Sequence, residues 1–243
     1  MKYELNPSYA KLKPLIENIE KYFQESTDVL HNERNEIRVV SFQDSKYVIK
    51  AFKIPNIINQ FVYRYARPSK AKRSYLYSLK LGSDLSPEAI AYIEEHKKGL
   101  LSRSYYISKH FDYDFEIRAL LYDDTFENRT QILEEFAIFT HQLHEIGVLH
   151  RDYSPGNILI KKQGNHYQFN IIDVNRMEFK VLSMDDRLSN FVRLSIDDAT
   201  MKTILYQYAA CIQQDPEDAF ATAKAFSVEY ERKRALKNKL RGR

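Results

Sequence analysis

A single cysteine, Cys211, excludes an intramolecular disulfide and makes the chain compatible with a reducing compartment, where the thiol is expected to be an inert core group. No run approaches the ~18 apolar residues of a transmembrane helix. The N-terminal stretch MKYELNPSYAKLKPLIENIEK sets charges and a proline where a signal peptide needs a continuous apolar segment, so a cytoplasmic protein is expected. Internal repeats, low-complexity tracts and linkers are also missing, and 243 residues suit one domain or a compact two-lobed unit. Acidic residues are missing from residues 45–83, which hold nine Lys or Arg and no Asp or Glu. Residues 224–243 add eight basic side chains against two acidic ones, so a net charge of +4 leaves the rest of the chain net acidic. Two basic zones on an acidic body point to anionic partners such as a nucleotide, an acidic substrate or a lipid surface, with solvated helix faces as the alternative. No specific nucleic-acid partner is expected.

What the chain does contain is a dense local pattern. His150-Arg151-Asp152 is followed after four residues by Asn157, and Asp173 closes an apolar run beyond a Gly164-Asn165 turn. Phosphoryl transfer uses this spacing: one carboxylate orients the attacking hydroxyl and accepts its proton, while an amide and a second carboxylate hold the magnesium ions that bridge the nucleotide phosphates. Asp152 fits the first role, Asn157 and Asp173 the second. Ile158-Leu159-Ile160 reads as a strand and residues 167–174 as its return, a hairpin that brings Asn157 and Asp173 to one end. The alternative is a turn in which Asp152 and Asn157 only cap backbone amides.

Upstream, residues 8–24 place Leu12, Leu15, Ile16, Ile19, Tyr22 and Phe23 on one stripe and predict an amphipathic packing helix. Residues 36–42 and 46–52 alternate as two strands about the turn Gln43-Asp44-Ser45. A kinase's glycine-rich loop belongs at the first of these, yet NERNEIRV holds no glycine; cover over the phosphates falls to ordinary backbone or to side chains such as Arg34 and Asn35. Tyr47-Val48-Ile49-Lys50 ends as the strand of a phosphate-binding lysine ends, which makes Lys50 the nucleotide-binding candidate and Lys53 its alternative. Residues 54–65 carry Ile54, Ile57, Ile58, Phe61 and Tyr65 at helical spacing beside Arg64 and Arg67, a stripe for packing on the sheet or for resting on a membrane surface. Ser69 offers an N-cap for a helix to Leu81. Arg64, Arg67, Lys70 and Arg73 are the candidates for binding an anionic acceptor.

Residues 84–111 read as a meander about a Lys97-Lys98-Gly99 turn, and its last strand leads into a hinge where Ser108, Lys109 and His110 would offer backbone groups to the adenine. FEIRALLYDD reads as helical, and a clear helix over residues 128–144, with Gly147 just past its end, delivers the catalytic loop. His141 and His144 have no carboxylate or cysteine to complete a metal site and are assigned to packing or solvent. Only 70 residues follow Asp173, without an Ala-Pro-Glu motif, and helices over residues 189–212 and 216–240 fill most of them. That leaves little room for a peptide platform and favours a non-peptide acceptor.

The stretch LHEIGVLHRDYSPGNIL, with Asp173, Asn175 and Arg176 in a DVNR ending, resembles the bacterial lipopolysaccharide core kinases, the Kdo and heptose kinase family. RNEI, YVIKAFKIPNIIN and SKAKRSY support the likeness, which spans roughly residues 33–187. The resemblance implies an α+β, protein-kinase-like two-lobed fold, with a small β-rich N-lobe over about residues 1–110 and a mostly helical C-lobe over about 111–243. It implies ATP and Mg2+ as cofactors and a sugar hydroxyl of the lipopolysaccharide core, or of another anionic sugar, as acceptor. Lys50 would bind phosphate, Asp152 act as base, and Asn157 and Asp173 bind magnesium. The place of work implied is the cytoplasmic face of the inner membrane, with peripheral contact to anionic lipid. One departure stands out: the helix glutamate expected at position 76 is Leu76, leaving Glu88 or Glu94 as stand-ins to hold the lysine. A kinase of another small molecule or protein, and a nucleotide-binding pseudokinase scaffold, are the alternatives; the joint presence of Lys50, Asp152, Asn157 and Asp173 argues against the scaffold.

Overall fold

The computed structural model describes residues 1–32, 35–53 and 68–240, and strand alternation decides which helices cover which face of its main sheet. One unit of the chain comprises Met1–Asp112 with Asp173–Asn175; the other comprises Tyr113–Ile172 and Arg176–Arg243.

In the first unit, strands β1 (Lys2–Leu5), β2 (Val29–Asn32), β3 (Asn35–Phe42), β4 (Ser45–Phe52), β5 (Ala89–Lys97) and β6 (Leu100–Lys109) form an antiparallel sheet in the order β1-β5-β6-β4-β3-β2. Gln43 and Asp44 both take positive φ, 48° and 59°, making the two-residue turn whose twist matches the flanking strands; Ser45 already belongs to β4. On one face, Val40, Tyr47, Ile49, Ile93, Tyr105 and Ile107 meet Leu12, Leu15, Ile16, Ile19 and Phe23. On the other, Phe52, Ala89 and Tyr92 meet Ala71 and Tyr75 of the Lys70–Leu81 helix. That helix starts as expected, with the Ser69 hydroxyl accepting from the Lys72 amide at 3.1 Å.

The N-terminal stripe docks as expected, but not as one helix. A 3-10 turn at Pro7–Leu12 and short helices at Lys13–Glu17 and Ile19–Glu25 replace it. Asn18 breaks the run: its backbone leaves helical geometry (φ −118°, ψ 29°) while its side-chain amide donates to the Pro14 carbonyl at 3.0 Å. Asparagine competes with helical hydrogen bonding in this way. Burial at about 1.5–3 kcal/mol per large apolar side chain holds the stripe in place regardless.

In the second unit the Arg129–Glu145 helix buries Ile132, Leu133, Phe136, Phe139 and Leu143. Phe136 and Phe139 pack on Phe169 of β10 (His166–Ile171), which pairs with β9 (Ile158–Gln163), itself paired with β7 (Phe115–Glu116). FEIRALLYDD is thus split between β7 and a four-residue helix, Arg118–Leu121. The returning strand stops at Ile171 rather than Val174, and the helix expected over residues 189–212 divides into Met184–Ser189, a 3-10 turn at Asn190–Leu194, and Asp198–Ile212. Ser195 at φ 51° and the Asp197 side chain capping the Thr200 amide mark the break before the last piece. The final helix, Pro216–Leu240, matches its expected span. No helix among the described residues is long and apolar enough to cross a membrane.

His144 serves packing, as its sequence context indicated: its ring is buried, with Nδ1 2.7 Å from the Tyr208 hydroxyl and Nε2 3.3 Å from the Asn190 amide nitrogen. Burial pushes its pKa down from 6.5 to about 3, with the Arg187 charge acting in the same direction. A neutral buried ring gives stability that is complete above the unfolded-state value and is lost as pH falls from there toward about 3, because the unfolded chain takes up a proton the folded one refuses. Between pH 6 and 4 the unfolding free energy of the wild type should fall about 1.4 kcal/mol per pH unit more steeply than that of His144→Gln. Urea titrations at several pH values read this slope, which is independent of the variant's overall stability offset; parallel slopes would reject the assignment.

Candidate active site

Gly147 lets the chain leave the Arg129–Glu145 helix for the loop that carries the motif. Its φ is +72°, and a Cβ there would lie 2.5 Å from the Lys180 carbonyl oxygen. The Lys180 amide donates to the Gly147 carbonyl at 2.9 Å, closing β8 (Val148–His150) onto β11 (Met177–Phe179). At the end of β8 the buried His150 ring accepts from the Asp152 amide at Nδ1 (3.0 Å), so its proton sits on Nε2, which donates to the Ile172 carbonyl at 3.1 Å. One ring thus ties the backbone of Asp152 to the residue preceding Asp173. Tyr153 anchors the next step, buried against Phe136 and hydrogen-bonded to the Thr140 hydroxyl at 2.8 Å. Desolvation raises its pKa far above the usual phenol range.

Asn157 has a fixed orientation. Its amide nitrogen donates both hydrogens, to the Asp152 carbonyl at 2.8 Å and to the Ser154 hydroxyl at 3.1 Å. The remaining function of that amide is its oxygen, an acceptor suited to a hard cation. The Asn157 carbonyl in turn accepts from the Ile172 amide at 2.9 Å, continuing the β9–β10 ladder to the residue before Asp173. The Asp152 carboxylate lies 3.4 Å from Arg176 and 3.5 Å from Arg193. Arg151, between the motif's histidine and aspartate, is turned away into a two-pronged pair with Glu178 at 2.8 and 2.7 Å.

Within the first unit, alternation along β4 puts Lys50 on the face of Phe52, the face covered by the Lys70–Leu81 helix. Its ammonium lies 2.7 Å from the Asp173 carboxylate, a pairing of residues 123 apart in sequence, and 5.6 Å from the centroid of the Phe52 ring. Asp173 takes a left-handed backbone (φ 56°), which aspartate tolerates better than most residues, and the strand ends at Ile171, short of the expected Val174. The Asn175 amide donates to the same carboxylate oxygen.

The other candidates fare unevenly. The Lys109 and His110 amides already donate to the neighbouring chain segments on either side of β6, to the Glu88 carbonyl at 2.9 Å and the Lys46 carbonyl at 3.0 Å, and the Ser108 side chain is buried. Amide donors for an adenine ring are therefore not supplied by Lys109 or His110 as they stand. Arg73, expected on an exposed basic face, is only 6% exposed, whereas Lys70 at the start of the same helix is half-buried. Arg64, Arg67, the stripe over residues 54–65 and Arg34 lie outside the described residues; Asn35 begins β3. Leu76 is 38% exposed, while Ser74, Tyr75 and Ser78 are the buried positions around it, with Ser78 accepting from the Tyr106 hydroxyl at 2.8 Å. Glu88 accepts from the Tyr9 hydroxyl, and Glu94 sits buried on β5 opposite Ser104 and Lys2. Lys50 finds its carboxylate in Asp173 instead.

Arg193 was not legible as part of the site, since it lies 41 residues beyond Asp152 in a stretch with no motif. Arg176 stands in the DVNR ending, but no role for it followed from spacing. Among the described residues no cluster of three His, Cys, Asp or Glu would hold a metal by itself.

Residues 81–211 match the model of the lipopolysaccharide kinase (Kdo/WaaP) family. Among solved structures, WaaP in complex with acyl carrier protein is similar at a TM-score of 0.64 and 16% identity, over 96% of this chain and 98% of that chain. At that identity the likeness speaks for the fold, an α+β protein-kinase-like one. No curated protein sequence matches.

Proposed function

The chain belongs to the lipopolysaccharide kinase (Kdo/WaaP) family, and from that premise we propose that it transfers the γ-phosphoryl group of ATP to a sugar hydroxyl of the lipopolysaccharide inner core. The bond from the γ-phosphorus to the bridging oxygen breaks, a bond to the sugar oxygen forms, and ADP leaves. The hydroxyl proton passes to Asp152. Lys50 holds nucleotide phosphate, and the Asn157 oxygen and Asp173 hold magnesium, which when bound neutralises charge on the transferring phosphate. The observation that carries this reading is the 2.7 Å contact of Lys50 with Asp173, two residues picked out by separate motifs. The lone amide oxygen offered by Asn157 supports it. The place of work we propose is the cytoplasmic face of a membrane that presents the acceptor, in line with the basic zones.

One feature favours a second reading, a nucleotide-binding scaffold: no glutamate stands at position 76 to orient the lysine. Incubation with γ-labelled ATP, magnesium and purified core lipid, alongside a generic protein acceptor, separates the readings. Label should enter the lipid, disappear with chelator, and stay out of the protein. ATP binding without transfer to either acceptor would favour the scaffold, and label in the protein alone would make the chain a protein kinase.

A further inference from the structure

We infer that Arg176 and Arg193 form a subsite for an anionic group of the acceptor, set against the Asp152 carboxylate. The inference rests on Asp152 being the acceptor-side base. Its two contacts, 3.4 Å to Arg176 and 3.5 Å to Arg193, are long for charge-assisted hydrogen bonds, which run at about 2.7–2.9 Å. The two arginine side chains are 56% and 40% exposed, so both are open to solvent in part. Among the described residues neither is paired with any carboxylate other than Asp152. Arg151, by contrast, spends its fork on Glu178. Two cations therefore share one carboxylate, and a single anion would complete the charge balance.

The arginines are also placed. The Arg193 guanidinium stands 5.6 Å from the centroid of the Tyr230 ring on the Pro216–Leu240 helix, a cation–π contact that steadies the group while leaving its edge for a planar or tetrahedral anion. The Arg176 backbone is set by its position one residue before β11. A carboxylate or phosphate that draws both guanidiniums to itself leaves the Asp152 oxygens to the incoming hydroxyl. An acceptor without that anion meets a base whose oxygens face two arginines. The pair thus selects for a sugar acid or a sugar phosphate.

The test is binding by NMR titration of the full chain with Kdo as the free acid, its methyl ester, and glucose 6-phosphate as the phosphate probe. Wild type should bind the acid, the phosphate, or both at least about tenfold more tightly than the ester, on the scale of one charge-assisted contact. Arg193→Gln and Arg176→Gln should bring the favoured anion down to the ester's affinity with ATP affinity unchanged. Asp152→Ala, which removes the competing carboxylate, should strengthen anion binding; arginines that merely position Asp152 would show no such gain. Whichever probe depends on the arginines identifies the group as carboxylate or phosphate. Equal affinity of all three probes, or anion binding untouched in both arginine variants, overturns the subsite. Because these readouts need no turnover, failure of transfer to core lipid in the labelling assay would count against the kinase reading separately.

Discussion

Asp152→Asn should leave ATP affinity largely unchanged and lower phosphotransfer by roughly 10²–10⁴-fold, the usual contribution of a positioned general base. The substitution keeps the shape and removes the proton acceptor. It also keeps the Asp152 backbone carbonyl that takes the Asn157 amide, so the metal-facing oxygen of Asn157 stays where it is. The side chain's ion pairs, at 3.4 and 3.5 Å, are long and partly exposed, and such pairs contribute about 0–1 kcal/mol each. Thermal stability should therefore move little. Single-turnover phosphotransfer, nucleotide calorimetry and a melting curve on the same preparation distinguish this from a turn aspartate that only caps backbone, which would cost stability and spare turnover. Loss of ATP binding in the variant would show that Asp152 sits on the nucleotide side.

The parts of the site that were legible in the chain are those carried by local spacing. Asp152 and Asn157 stand just before the β9–β10 hairpin and Asp173 just after it, so the motif spacing is read from one short stretch of chain. Lys50 was legible from its place at the end of an aliphatic strand, and alternation then fixed its face. What was not legible depends on tertiary packing. Nothing in NFVRL marks Arg193 as a neighbour of Asp152, because the turn that brings it there is set by the break at Ser195 and by Tyr230 on a later helix. Arg73 reads as one more cation in a basic run, and only the folded environment of the Lys70–Leu81 helix buries it. At Asn18 the apolar stripe continued through a residue whose own side chain competes for the backbone, so the core positions were read correctly and the helix was not. The same holds at Asp173, where an apolar run hides a left-handed residue just past the end of the strand.

Lys50→Met should reduce turnover by about 10²–10³-fold, the scale on which one preorganised charge-stabilising donor acts in a transition state, while Leu76→Glu should change it little. The second half of this expectation follows from the Lys70–Leu81 helix. Its sheet-facing positions are Ala71, Ser74, Tyr75 and Ser78, and Leu76 is turned partly outward, so a glutamate there gains solvent more readily than it gains the lysine. Lys50 is held by Asp173 instead, at 2.7 Å and with a largely buried side chain. That pair orients the lysine, and in the kinase pattern an aspartate at this place would hold magnesium while the lysine would hold phosphate. Among the described residues, then, Lys50 has a carboxylate partner that does not come from the Lys70–Leu81 helix. The Lys50→Met, Leu76→Glu and double variants should accordingly combine additively, within about 0.5 kcal/mol. A coupling above about 1 kcal/mol would bring position 76 within reach of the lysine and restore the helix glutamate's role. A harmless Lys50→Met would instead remove Lys50 from the phosphate-binding site, leaving its contact with Asp173 as an ordinary ion pair of the fold.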